Sequence, residues 1–155
     1  MSAGKDLVTA LAGVPVFARC TRRELKAVAR HTETVDLEAG EELMAQGAAG
    51  DALFVLLRGR AEVTVDGSRV TELGPGNYVG ELALLDGEPR SATVRTTTPA
   101  VVAVLGRRMF HTLLRELPEL SEQLLAGLAS ELRQARDAGH QPPESANRAD
   151  GGGQP

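Results

Sequence analysis

From about Thr34 to Leu105 the hydrophobic residues change period, and glycine interrupts them at Gly40, Gly47, Gly59, Gly74, Gly76 and Gly80. Leu53, Val55 and Leu57 alternate with Phe54 and Leu56, which reads as a strand apolar on both sides. Ala61, Val63 and Val65 alternate instead with Glu62 and Thr64, a strand with one wet face. Asp66-Gly67 follows directly, a two-residue turn of the kind that joins antiparallel strands, and Val70 and Leu73 lie on the returning strand. Further strands are expected over Ala92 to Thr96 and Ala100 to Leu105. Glycine at this frequency permits the tight corners of a small closed barrel or jelly roll. The middle of the chain is therefore an all-β unit, and the 17 Gly and 8 Pro of the chain suggest many turns rather than a long-helix protein.

Helical periods flank it. A short helix over about Asp6 to Leu11 ends at Gly13 and Pro15. Thr21 is an N-cap with Glu24 three residues on, and Leu25, Val28 and Ala29 then share one helix face. Beyond Leu105, Phe110, Leu113, Leu114 and Leu117 suit a helix stopped near Pro118. Leu120, Leu124, Leu128 and Leu132 recur every four residues along a second one that runs to about Asp137, which Gly127 weakens by about 1 kcal/mol relative to alanine. Residues 138–155 contain no large apolar side chain and read as a disordered tail, so the 155 residues comprise one domain over 1–137 and that tail.

The charge balance excludes other classes. Seventeen Lys and Arg against 21 Asp and Glu give a net charge of -4, which offers no general attraction to nucleic acid or an anionic membrane. The only basic cluster, Arg19, Arg22, Arg23, Lys26 and Arg30, reads as a solvated helix face, with a patch for nucleic acid or an acidic partner as the alternative. Cys20 is the single cysteine, so an intramolecular disulfide is impossible and a reducing compartment fits. Lys5, the apolar stretch from Leu7 to Ala18 and Cys20 imitate a lipoprotein signal, but Asp6 and Arg19 break the pattern. No apolar run approaches the roughly 20 residues that span a bilayer, and the chain is expected to be cytoplasmic. His31, His111 and His140 lie far apart, read as surface or capping residues, and form no metal-ligand spacing. Neither a nucleophile elbow nor a phosphate loop of the Walker type is present, so no enzyme, metal or cofactor is expected.

The informative segment is Gly80-Glu81-Leu82-Ala83-Leu84-Leu85-Asp86-Gly87-Glu88-Pro89-Arg90-Ser91-Ala92-Thr93-Val94. Gly80 allows close approach of backbone to a ligand, and Glu81 to Leu85 can form one helical turn whose free N–H groups favour an anion. Arg90 supplies a planar, permanently charged fork suited to a phosphate, with the Ser91 hydroxyl beside it. Glu81 would repel phosphate and so should face a hydroxyl donor, such as that of a sugar. A nucleoside 3',5'-cyclic phosphate offers one anionic phosphate and one free ribose 2'-OH, which calls for one cation and one carboxylate.

This segment resembles the phosphate-binding cassette of the cyclic nucleotide-binding domain family: Gly-Glu-Leu-Ala-Leu, a short acidic spacer, then Pro-Arg-Ser-Ala-Thr-Val. Val16-Phe17 before a helix, Gly40-Glu41, Gly47 before Asp51, and Gly59 also fall where that family's barrel has them. The resemblance covers about Asp6 to Asp137. It implies a mainly β architecture: an eight-stranded β-roll or jelly roll with N-terminal helices and C-terminal lid helices that move over the ligand. It also implies that Glu81 accepts the ribose 2'-OH, that Arg90 pairs with the cyclic phosphate, and that Gly80, Leu82, Ala83, Ser91 and Ala92 contribute backbone contacts. Ser91 does not decide between cAMP and cGMP, although cAMP is favoured. Where dimeric bacterial activators of the family place a Thr-Ser pair for adenine, this chain has Ala135 and Arg136. Leu132, Arg133 and Arg136 are candidates for a lid over the base.

The expected function is a stand-alone cyclic-nucleotide receptor, a monomer or weak homodimer, whose C-terminal helices signal to a separate protein effector. Only 18 residues follow Asp137, and no helix-turn-helix fits there, so DNA binding is not expected. The alternatives are a scaffold domain unresponsive to nucleotide, or a diverged transcription regulator of the same type without its DNA-reading half.

Overall fold

A computed structural model describes residues 3–81, 83–87 and 89–138. The chain begins with helix α1 (Ala3–Ala12), a 3-10 turn over Pro15–Phe17 and helix α2 (Arg22–Arg30). Strands β1 (Glu33–Leu37), β2 (Glu42–Met44), β3 (Ala52–Arg58), β4 (Ala61–Val65), β5 (Ser68–Leu73) and β6 (Tyr78–Val79) follow, then the short helix α3 (Ala83–Asp86). Strands β7 (Thr93–Thr96) and β8 (Ala100–Gly106) complete the β unit, and helices α4 (Arg107–Glu116) and α5 (Pro118–Asp137) end the described chain. The eight strands form two antiparallel four-stranded sheets, in the orders β1-β8-β3-β6 and β2-β7-β4-β5. This is the expected β-roll. The helices around it are larger than "mainly β" conveys: together they hold more residues than the strands.

The two kinds of strand seen in the sequence correspond to two cores. Between the sheets, Leu56 of β3 meets Ala61 and Val63 of β4, Val94 of β7 and Val102 of β8. On the other face of the first sheet, Leu53 and Val55 of β3 and Ala103 and Leu105 of β8 meet a helical core of Leu11, Phe17, Val28, Phe110, Leu113 and Leu120. Strand β3 is apolar on both sides because it is covered on both sides. Strand β4 belongs to the second sheet and adds only Ala61, Val63 and Val65 to the inter-sheet core, which accounts for its single wet face. The β4–β5 hairpin turns at Asp66 and Gly67, with φ of 54° and 83°, the left-handed pair that a type I' turn requires.

Thr21 and Glu24 form the expected capping box: the Thr21 hydroxyl accepts from the Glu24 N–H at 3.1 Å, and the Glu24 carboxylate accepts from the Thr21 N–H at 2.8 Å. At the other end of α2, His31 donates through Nδ1 to the Ala27 carbonyl at 3.0 Å, a capping role as expected. His111 departs from that reading, since its Nε2 is buried. His140 and the expected disordered tail beyond residue 138 lie outside the described residues.

Helix α5 carries a glycine in its middle for a steric reason. A Cβ on Gly127 would stand 2.8 Å from the Val16 carbonyl oxygen and 3.0 Å from that of Pro15, so α5 rests directly on the backbone of the 3-10 turn. Leu120 and Leu124 are buried in this contact and Leu128 is half-buried, whereas Leu132 is exposed. The four-leucine stripe is intramolecular core at its N-terminal end only.

Candidate functional site

The cassette connects β6 to β7 and is held in place at both ends. Gly80 turns the chain out of β6 with φ of 90°, a conformation strained for any residue with a Cβ. Glu81, next to it, is 1% exposed. Leu84 of α3 is fully buried in the helical core, and Leu85 packs against the same cluster, so the short helix is anchored by its apolar side. Arg90 is 4% exposed and Ala92 is fully buried where the chain enters β7.

Burying a guanidinium is costly unless its N–H groups find acceptors. Arg90 Nη2 donates to the Ala52 carbonyl at 2.8 Å, and its Cζ lies 5.4 Å from the centroid of the Phe54 ring, within cation–π range. The loop between β2 and β3 fixes its backbone: the Arg90 N–H donates to the Ala48 carbonyl at 2.7 Å, and the Arg90 carbonyl accepts from the Gly47 N–H at 2.8 Å. Arg90 is therefore held in its orientation by protein groups. Preorganised donors of this kind bind without a further ordering cost.

The same strand end is tied to the C-terminal helices. The Arg107 N–H, which opens α4, donates to the Asp51 carbonyl at 2.8 Å, one residue before the carbonyl that holds Arg90. The Arg107 side chain reaches back to the cassette: a Cβ on Gly87 would stand 3.3 Å from its guanidinium carbon. Helix α3 packs on both β3 and α4, so cassette and helices share a common wall.

Of the site residues expected from sequence, Gly80 and Glu81 follow β6, Ala83 opens α3, and Arg90, Ser91 and Ala92 lead into β7. Leu82 lies outside the described residues. Leu132, Arg133 and Arg136, expected at a base lid, are exposed on the last turns of α5. Sequence reading missed Ala48, Ala52, Phe54 and Arg107. Phe54 looked like an ordinary strand residue; only Gly87, a glycine in the spacer, hinted that something lay close to it. Among the described residues no three His, Cys, Asp or Glu side chains are grouped to hold a metal ion, and no helix is long and apolar enough to cross a membrane.

Residues 34–116, more than half of the chain, match the family described as Cyclic nucleotide-binding domain. The chain belongs to the cyclic nucleotide-binding domain family. That family is generally a regulatory, non-catalytic domain. The chain is 40% identical over 103 residues to the cAMP-dependent protein kinase regulatory subunit of Emericella nidulans, a match covering 65% of this chain and 25% of that protein. It is 29% identical over 137 residues to the CRP-like cAMP-activated global transcriptional regulator of Mycobacterium tuberculosis, covering 85% of this chain and 60% of the regulator. The chain thus spans less than two thirds of either relative. Among solved structures, the N-terminal domain of a transcriptional regulator from Streptomyces coelicolor A3(2) superimposes with a TM-score of 0.78 at 28% identity, covering 83% of this chain and 96% of that one. The regulatory domain of Toxoplasma gondii PKA, crystallised with cAMP, gives 0.64 at 28% identity, covering 83% of this chain and 50% of that one.

Proposed function

We propose that this cyclic nucleotide-binding domain is a receptor for a purine nucleoside 3',5'-cyclic monophosphate, cAMP in preference to cGMP, and that ligand repositions its C-terminal helices to signal to a separate protein. The observation that carries the reading is a pair of opposite charges, Glu81 and Arg90, both buried in one cassette, with Arg90 already oriented by Ala52, Ala48 and Phe54. In this reading the Arg90 fork takes the cyclic phosphate, the Glu81 carboxylate accepts the ribose 2'-OH, and Gly80, Leu82, Ala83, Ser91 and Ala92 supply backbone contacts. The preference for cAMP draws support from the relatives named for it. Linked response draws support from the adjacent carbonyls of Asp51 and Ala52, which hold the start of α4 and Arg90 respectively.

Closure of α5 would bring Leu132, Arg133 or Arg136 over the base, and the closed state would be favoured only by the contacts it adds. The domain acts in this reading as a cytoplasmic monomer or weak homodimer and performs no catalysis. Thermal unfolding with cAMP, cGMP and cyclic CMP tests it. A ligand at a hundredfold excess over its Kd stabilises by about 2.7 kcal/mol, a rise in Tm of roughly 5–10 °C for a domain of this size. No shift with any of the three at millimolar concentration would overturn the proposal.

A further inference from the structure

Helix α2 carries a ridge of positive charge that the cassette does not use. Arg22, Arg23, Lys26 and Arg30 are all exposed, and at about 100° per residue they fall within an arc of about 100° on the helix surface. Arg19, exposed in the turn just before the helix, extends the row. None of the five makes an ion pair or a side-chain hydrogen bond with a described residue. The one acid of this helix, Glu24, is 6% exposed and engaged in the capping box, so it does not neutralise the ridge. Leu25, Ala27 and Val28 occupy the opposite face and are buried in the helical core.

Repulsion among aligned cations is destabilising, and an acidic partner laid along the row would relieve it. We infer that the α2 ridge is a docking surface for an acidic segment of a partner protein, a helix that presents carboxylates three and four residues apart. The ridge is about 12 Å long over the helical residues, about two helical turns, and four of its five cations are arginine. A guanidinium binds a carboxylate with two parallel hydrogen bonds, which a lysine cannot do.

Nucleic acid and membrane fit less well. With five of the chain's 17 cations on the ridge, the other twelve face 21 acids. A duplex long enough to gain from phosphate contacts would lie against that acidic remainder. The helix offers no aromatic side chain on which an unpaired base could stack. Its apolar residues are committed to the core, so none is left to enter a bilayer.

The inference does not depend on nucleotide binding, and its test is read separately. The full chain is titrated with a labelled helical peptide bearing glutamates three and four residues apart, with duplex DNA, and with phosphatidylserine vesicles. Saturable peptide binding that weakens roughly tenfold between low and physiological salt is expected. Two variants, Arg23→Glu/Lys26→Glu and the milder Arg22→Gln/Arg30→Gln, should each bind the peptide at least roughly tenfold more weakly while keeping the parent melting temperature. Absence of peptide binding, binding by both variants as tight as the parent's, or tighter binding of DNA or vesicles than of the peptide would overturn the inference.

Discussion

In the proposed site Arg90 would bear two tasks at once, because the side chain that would take the phosphate also satisfies the Ala52 carbonyl and packs over Phe54. Arg90→Lys keeps the charge and loses the fork, and ligand affinity should fall by about 1.5–3 kcal/mol, roughly ten- to a hundredfold, in a calorimetric titration. Arg90→Ala should in addition lower stability by about 1–3 kcal/mol in urea unfolding, since it strips a buried carbonyl of its donor. Unchanged affinity in the lysine variant would place the phosphate elsewhere. In the turn before α2, burial first and the nearby Glu24 second push the Cys20 thiol up from 9.0 to about 11. The folded state therefore holds the thiol protonated: stability is intact below about pH 9 and declines as pH rises from there toward about 11. Iodoacetamide labelling should be slow at neutral pH, with a rate that climbs toward a midpoint near 11; a midpoint near 9 would contradict this. Glu81 and Arg90 were legible as a charged pair at fixed spacing. The carbonyls of Ala48, Ala52 and Asp51 were not, because a backbone acceptor leaves no mark on the amino-acid alphabet.

At the level of the element, α5 shows how a correct period can still mislead about burial. Leucines every four residues mark a helix, but each step of four overshoots a full turn by about 40°, so from Leu120 to Leu132 the stripe rotates by about 120°. Leu120 and Leu124 consequently face the core while Leu132 faces solvent. Leu132→Gln should leave the stability of the free domain within about 0.5 kcal/mol of the parent by urea unfolding and should weaken nucleotide binding if this turn closes over the base. Affinity equal to the parent's would remove Leu132 from the lid. Gly127 makes the complementary point. Alanine would gain about 1 kcal/mol in helix propensity, but its Cβ would meet the Val16 and Pro15 carbonyl oxygens at 2.8 and 3.0 Å, and overpacking of that kind costs about 1–3 kcal/mol. Gly127→Ala should therefore lower the urea midpoint, and a rise would show that α5 does not rest on the 3-10 turn. Strand β3 was readable as doubly apolar, whereas the shortest strands, β2 with three residues and β6 with two, have too few positions to establish a period.

For the molecule as a whole, the two cores assign different work to the two sheets. Among the described residues the second sheet packs on the first, which is shared between the inter-sheet core and the helices; α3 of the cassette packs on β3, while α4 packs on β8 and is bonded to Asp51, the residue before β3. In the proposed function a ligand that tightens the cassette would act on Arg90 and Ala52, next to the Asp51 carbonyl that holds the start of α4. Hydrogen exchange should report this coupling as added protection on ligand addition in the last turns of α5, where Leu132, Arg133 and Arg136 are exposed. Protection confined to the cassette would mean that binding and helix movement are separate. The alternation and glycine pattern of the sequence contained the β-roll; the helical layer that covers it depends on which faces meet, and that is decided by tertiary packing. The most direct test of the account is calorimetric titration of the full chain with cAMP beside the Arg90→Lys variant. The account predicts saturable binding of one nucleotide per chain and a loss of roughly tenfold or more in the variant. Absence of heat with the parent chain at millimolar cAMP, together with no change in melting temperature, would contradict it.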